Sequence, residues 1–342
     1  MTRWGLVTTV KAPADAMLDF AAWHLAQGAA RLLIYLDDPT GHPAPPALAA
    51  HPAVTLTACD DTYWRARGFR PTKHQVRQCA NANHALAGAD GLDWLGHVDV
   101  DEFLLPAADA PPLGAQLAAL PRNALCARIR PVEALAPAPG ADASVRHFKA
   151  LHPDRASRDR AARACFPRWG AHLAGGFLSH VAGKLFVRPD AGPWDLRIHN
   201  ARRGEQQNPG EVTLAGTELG HFHATDWAHF RDALAFRLDR GSYRAELRPP
   251  MRREGAPRLH DLLGTLRDTE GEPGLRAFFD EVCTATPALC DRLDGHGLLR
   301  RHRMDLAGLR AAHFPPRTPE AARDATEAAE MGRIGPAKGP VD

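Results

Sequence analysis

Apolar and polar positions fall into blocks along the first hundred residues, and the blocks change period. Trp4–Val10 (WGLVTTV) is apolar and β-branched and predicts a strand. Pro13 suits the first turn of a helix, in which Leu18, Ala21, Ala22 and Leu25 recur at helical spacing until Gly28 ends it. Arg31–Leu36 (RLLIYL) has almost no polar alternation, the mark of a strand covered on both faces. It stops at Asp37-Asp38-Pro39-Thr40-Gly41, a turn by composition. A short helix at Pro46–Ala50 and a strand at Ala53–Thr57 follow. Pro71–Leu86 reads as a helix, with Val76, Cys79, Ala80 and Asn83 near helical spacing, and Gly88 and Gly91 break it. Leu92–Val98 is a fourth strand. Strands alternating with helices predict an α/β fold, a mostly parallel sheet with helices on both faces.

Beyond Pro106 the pattern changes. Leu113–Leu120 predicts a helix, Ala124–Val132 a strand and Pro137–Ala143 a loop. His152–Arg163 is charged and weakly patterned, the look of a mobile surface loop. Val181–Val187, Trp194–Ile198 and Glu218–His223 read as strands, the last running into a helix from about Asp226 to Arg240. Leu259–Leu309 is helical by pattern, and from Pro315 onward Pro, Ala, Gly and charge predict an unpacked tail.

Bulk properties narrow the classes. With 342 residues, 44% hydrophobic and 24% charged, the composition is that of a soluble globular protein. A net charge of +2 gives no argument for nucleic acid. The 6 cysteines include no CxxC pair, which argues against a structural zinc site or a disulfide framework and for a reducing compartment. No apolar run is long enough for a signal peptide or a membrane span. The expected location is therefore cytoplasmic, with peripheral contact at the inner face of a membrane left open.

The candidate chemistry centres on Trp94–Leu105, WLGHVDVDEFLL. Asp99, Asp101 and Glu102 stand where a buried strand should stop, and carboxylates are rarely buried without a partner. Spacing of two on an extended chain puts Asp99 and Asp101 on one face. Two hard oxygen ligands with room for phosphate oxygens suit Mg2+ or Mn2+ better than zinc. Glu102 reads as the residue that orients the Asp pair or caps the turn. Ligands of open α/β sheets sit beyond the carboxyl ends of the strands, where both Asp37-Asp38 and Asp99–Glu102 fall. Asp38 offers a hydrogen bond to a nucleotide base or ribose, the competing account being an Asp that caps a turn. His221 and His223 share a strand face, and His221 could supply a further metal ligand. Lys184 in GKLFVRP could contact a diphosphate, against a solvated Lys. His199 in RIHN could contact an acceptor or phosphate, against a capping His. Lys73, His74 and Arg77 open a helix near the strand tips, and Arg155, Arg158, Arg160 and Arg163 read as a solvated face.

Taken in order, VTTVKAPADAMLDFAAWHLAQGAARLLIYLDDPTG, WLGHVDVDEFLL, GKLFVRP with RIHN, and LGHFHATDWAHF resemble bacterial glycosyltransferase family 2-like proteins with a D-x-D-E-F core. These segments run from about Val7 to Gly241. The resemblance implies a GT-A fold over 1–314, made of a nucleotide-binding half (1–105), an acceptor and metal-completing half (106–241) and a helical extension (242–314), with 315–342 as a disordered tail. It implies a nucleotide-sugar donor, a UDP-sugar first among them, a glycan or lipid-linked acceptor, a divalent ion (Mn2+ or Mg2+) and inversion at the anomeric carbon. Asp99 and Asp101 match the metal and diphosphate motif, Asp38 the acidic position after the second strand, His221 the late histidine, and Lys184 and His199 the intermediate segment. The chain departs from the family after the first strand, where Lys11 precedes Ala12-Pro13 rather than Asn-Glu, and in the first helix, where Asp19-Phe20 replaces Glu-Trp.

An inverting transfer needs a general base near the acceptor hydroxyl. Asp195, Asp226 and His199 are candidates by location. Two other functions compete. A haloacid dehalogenase-type phosphohydrolase also places D-x-D after an apolar strand, but Glu102-Phe103 follow here and no late acidic pair is evident. A non-catalytic sugar- or nucleotide-binding module on a degenerate scaffold is supported by the departure at Ala12-Pro13.

Overall fold

A computed structural model of the chain describes residues 2–142, 144–239 and 259–315. The expected tail beyond Pro315 lies outside the described residues. The first half is built from β1 (Trp4–Val10), α1 (Ala14–Ala26), β2 (Arg31–Leu36), α2 (Pro46–Ala49), β3 (Val54–Ala58), α3 (Asp61–Arg65), α4 (His74–Leu86) and β4 (Trp94–His97). Strands β3, β2, β1 and β4 lie side by side in that order, all parallel. The order reverses between β1 and β4, because β2 and β3 step outward on one side of β1 and β4 returns to the other. That reversal makes a crevice at the carboxyl ends of β1 and β4.

Period-two alternation sorts these strands into two cores. Trp4, Leu6 and Val10 of β1 and Leu32, Ile34 and Leu36 of β2 pack with Phe20 and Ala21 of α1. Val7, Leu33 and Tyr35 point the other way, toward Ala82 and Ala85 of α4. Every residue of β1 is buried. A strand apolar on both faces is stable only between two helical layers, and each large side chain so buried contributes about 1.5–3 kcal/mol.

The second half joins this sheet mostly antiparallel. It comprises β5 (Glu102–Pro106), α5 (Leu113–Ala118), β6 (Cys126–Ala134), β7 (Val145–Ala150), α6 (Arg158–Cys165), β8 (Lys184–Val187), β9 (Asp195–Leu196), β10 (Ala201–Arg203), β11 (Gln206–Gln207) and β12 (Glu211–His221). Strand β8 pairs antiparallel with β4 on one side and β6 on the other. Strand β12 runs parallel to β6 and antiparallel to β5. Strands β9, β10 and β11 form a separate small sheet. The chain then continues through α7 (Trp227–Asp239), α8 (Leu259–Thr269), α9 (Gly271–Val282), α10 (Pro287–Gly295), β13 (Leu299–Arg303) and α11 (Leu306–His313). The fold is mixed α/β with a parallel sheet centre.

Three segments differ from the pattern-based expectation. His152–Arg163 is no loop: it holds a 3-10 turn at Arg155–Ser157 and most of α6. The small buried residues Ala161, Ala162 and Cys165 form its inner face, a weak signal beneath four arginines. The C-terminal region is not purely helical, because β13 pairs antiparallel with β7 at the sheet edge. Its long cationic side chains (LRRHR) hide the strand alternation. Phe103-Leu104-Leu105 belongs to β5, a run too short to announce itself. Helix α11 returns to α1, where Arg310 pairs with Asp15 at 2.8 Å and Asp19 at 2.9 Å.

Candidate functional site

Asp99, Val100 and Asp101 lie in the connection between β4 and β5, and Glu102 opens β5. The Glu102 N–H donates to Asp99 O at 3.0 Å, closing the turn. In return the Asp99 N–H donates to Glu102 Oε2 at 2.8 Å. This clasp pulls Glu102 under the turn, where its side chain is fully buried. The Phe222 N–H donates to Asp101 O at 2.9 Å and ties the turn to the end of β12.

Lys184, at the start of β8, is buried beneath the turn and donates to Asp99 Oδ2 at 2.8 Å, with Glu102 Oε2 3.4 Å away. Gln78 of α4 donates to Asp99 Oδ1. Burial opposes the charge on Asp99, but Lys184 and His97 outweigh it and hold the carboxyl well below its usual range. At Lys184, Asp99 and Glu102 outweigh burial and hold the ammonium above its usual value. Asp101 is more open, and His221 Nε2 lies 3.3 Å from its Oδ2. Burial works against a charged His221, yet Asp101 raises it to about 9. Asp101 is lowered by the same contact, against its own burial. Asp99 with Lys184 and Asp101 with His221 thus make two ion pairs, and Glu102 is the odd carboxyl. Burial pushes it up to about 7, with Lys184 opposing.

Register explains why these groups meet. His221 lies opposite Glu102 across the β12–β5 pair and opposite Glu133 across the β12–β6 pair. Registered residues on neighbouring strands project from the same face. His180, in the loop before β8, completes the cluster, with Nε2 3.9 Å from Glu102 Oε1. One ligand atom each from Glu102, His180 and His221 lie within 4.8 Å of one another, so this group could hold a metal ion. Glu102 Oε1, His180 Nδ1 and His221 Nδ1 are all buried without a hydrogen-bond partner. An orphaned buried polar atom costs about 1–3 kcal/mol, and an ion held by this group would take His221 as the neutral imidazole, releasing its proton. A carboxylate with two imidazoles suits imidazole-binding transition ions such as Zn2+ or Fe2+ better than Mg2+, which departs from the Mn2+ or Mg2+ expected of two carboxylates.

The His199 ring packs against His180, tilted by 49° with centroids 3.7 Å apart, and its Nδ1 donates to Gly183 O at 3.0 Å. That bond leaves the Nε2 lone pair free to accept. Burial and the neighbouring cation Lys184 lower His199 to about 4, and burial with His199 lowers His180 to about 3. Both rings are therefore neutral at pH 7.

The structure brings together Asp99, Asp101, Glu102, Lys184, His199 and His221. It engages three other candidates elsewhere. Asp38 caps its own turn by accepting from Gly41 N at 3.0 Å and pairs with Lys11 at 3.3 Å. Asp195 pairs with Arg197 on the small sheet. Asp226 accepts from His229 N at 2.8 Å at the start of α7. Asp37, not Asp38, carries the dense contacts after β2: Arg77 binds both of its oxygens at 2.7 Å, and Arg70 and His74 lie at 3.4 Å. Sequence reasoning missed His180 and Gln78. A lone His in a glycine-rich loop and a Gln inside a helix carry no spacing signal, and only their approach to Glu102 and Asp99 marks them.

Among the described residues, no helix is long and apolar enough to cross a membrane. No protein-family model matches the chain, and none of the curated proteins matches it.

Proposed function

We propose that this protein is a metal-dependent glycosyltransferase of GT-A type, moving a sugar from a nucleotide-sugar donor to an acceptor hydroxyl with inversion. The observation that carries this reading is the carboxylate turn at the end of β4: it stands where the strand order reverses and adjoins the Glu102, His180 and His221 group. A departing nucleoside diphosphate develops negative charge, so a transferase needs fixed positive charge at this edge of the sheet. Glu102, His180 and His221 would hold the divalent ion. Once bound, a divalent ion supplies charge neutralisation at the diphosphate. Lys184 is buried and held in place by Asp99 and Glu102, which adds a fixed cation beneath the same turn. Asp101, the most open of the three carboxylates, would face the donor. Of the three candidate bases, His199 is the one packed within this cluster, with a neutral ring and a free Nε2 lone pair.

The test uses a panel of nucleotide-sugars with and without Mn2+, following thermal stability and donor hydrolysis. The expected result is a Mn2+-dependent stabilisation by one donor of about 3 kcal/mol at a hundredfold excess over Kd. Asp101→Ala should abolish both the shift and turnover. Hydrolysis of a simple phosphate ester with no stabilisation by any nucleotide would instead establish the phosphohydrolase alternative. Donor binding without any turnover, across glycan and lipid-linked acceptors, would leave a binding module.

A further inference from the structure

One buried ion pair takes no part in the site described above. Glu133 of β6 and Lys149 of β7 sit opposite each other in register, and Lys149 Nζ lies 2.9 Å from Glu133 Oε1. Both side chains are 1% exposed, among the most deeply buried charges described. Lys149 also donates to Val282 O at 3.0 Å. A buried pair is no automatic gain in stability, since the loss of hydration can exceed the attraction. Its contacts show another use. Glu133 accepts the N–H of Leu178 at 3.1 Å and the N–H of Ser179 at 2.8 Å. The next residue is His180.

The same strand grips the rest of that loop. Arg128 donates to Ala182 O at 2.8 Å. Gly183 has φ +69°, and a Cβ there would stand 2.0 Å from Ile129 O, so the chain can lie against β6 only as glycine. Across the sheet, Glu102, His221, Glu133 and Lys149 occupy one row of registered positions on β5, β12, β6 and β7. Two members of that row, Glu102 and His221, belong to the candidate metal group, and a third holds the loop that delivers its last member.

We infer that Glu133, fixed by Lys149, is a positioning residue: it locks the Leu178–His180 segment onto β6 and so sets the geometry of the Glu102, His180 and His221 group. This inference rests on the metal-group reading and extends it to residues that touch no ligand. Groups that orient metal ligands typically change metal affinity by about 10–100-fold when removed.

The test uses the full chain, with Co2+ alone as the probe because its visible absorption reports coordination geometry. Glu133→Leu leaves Lys149 uncompensated, so Glu133→Leu/Lys149→Met, which removes both charges and the acceptor of the Leu178 and Ser179 N–H groups at similar volume, is measured beside it. Leu32→Ala, in the core between β2 and α1 that contains no residue of 177–181, controls for lost stability alone. The expected result is a Co2+ affinity about 10–100-fold weaker in the double variant, with an altered band, while Leu32→Ala melts earlier and keeps the wild-type band. An unchanged affinity and band in the double variant overturns the inference. Amide hydrogen exchange in the metal-free protein separates this failure from failure of the metal reading. If wild-type protein takes up no Co2+, the metal group is refuted. Faster exchange confined to 177–181 in the double variant then still supports the positioning role, and unchanged exchange overturns it.

Discussion

Two acidic pairs end strands on either side of β1, and their chemistry is opposite. After β2, Asp37 is enclosed by Arg77, Arg70 and His74, with both oxygens engaged. Arg77 is held in turn, since its Nη1 donates to Pro71 O and Thr72 O at 2.9 Å. That arrangement is finished: it pins the loop ahead of α4 onto the end of β2. After β4, the carboxylates are left unfinished. Asp99 and Asp101 have one cationic partner each, and Glu102 Oε1, His180 Nδ1 and His221 Nδ1 are buried without a hydrogen-bond partner. The comparison teaches that an acidic pair at a strand end is not yet a site. What separates structure from function is whether the surrounding groups complete the hydrogen bonding.

The largest expected effect tests the finished pair. Arg77→Ala leaves the buried Asp37 charge without its main partner and should cost about 3–5 kcal/mol of stability in denaturant unfolding. Metal uptake should be unchanged. A variant that keeps its stability but loses metal would reverse the roles of the two regions.

Glu102→Gln tests the unfinished one. Loss of a proposed ligand should weaken Mn2+ or Co2+ binding by more than about 100-fold, beyond the effect of an outer partner. The melting temperature without metal should not fall, because the variant removes a buried charge that burial already disfavours. A large drop in metal-free stability would mean that Glu102 is a completed structural anchor, as Asp37 is.

A smaller effect is the pH dependence of the Asp37 cluster. Burial opposes the Asp37 charge, but His74 and Arg77 hold its carboxyl well below the ordinary value. A depressed folded-state pKa gives stability that is present above the unfolded value of about 3.9 and lost as pH falls below it. The stability difference between wild type and Asp37→Asn should therefore be full at pH 7 and shrink below about pH 4, as denaturant titrations at each pH will show. A difference that grows on acidification would refute the assigned ion pair.

The smallest effect belongs to Asp38→Asn. Asp38 lies at the surface with partners Lys11, His42 and Gly41 N. Exposed pairs contribute little, so stability and metal binding should both stay within measurement error. Loss of donor binding in that variant would restore Asp38 to a nucleotide-contacting role.

Much of the architecture was legible because it is local. The strands at Trp4–Val10 and Arg31–Leu36 match the pattern to the residue, since a run apolar on both faces has one stable setting. The position of Asp99 and Asp101 at the end of a strand followed from the same periodicity. Legibility failed where charge overlays a weak pattern, as in α6 and β13, and where a strand is short, as in β5.

The sequence by itself determined the alternation of strands and helices, the α/β class and the concentration of carboxylates at the strand tips. Those features are written in spacing along the chain. Only the tertiary structure decided that Asp37 is closed by Arg77, that His180 joins Glu102 and His221, and that Glu102, His221, Glu133 and Lys149 form one row. The reason is physical. Whether a buried polar atom is satisfied depends on partners brought from distant segments by strand register, and register is set by packing of the whole sheet rather than by any stretch of residues within it.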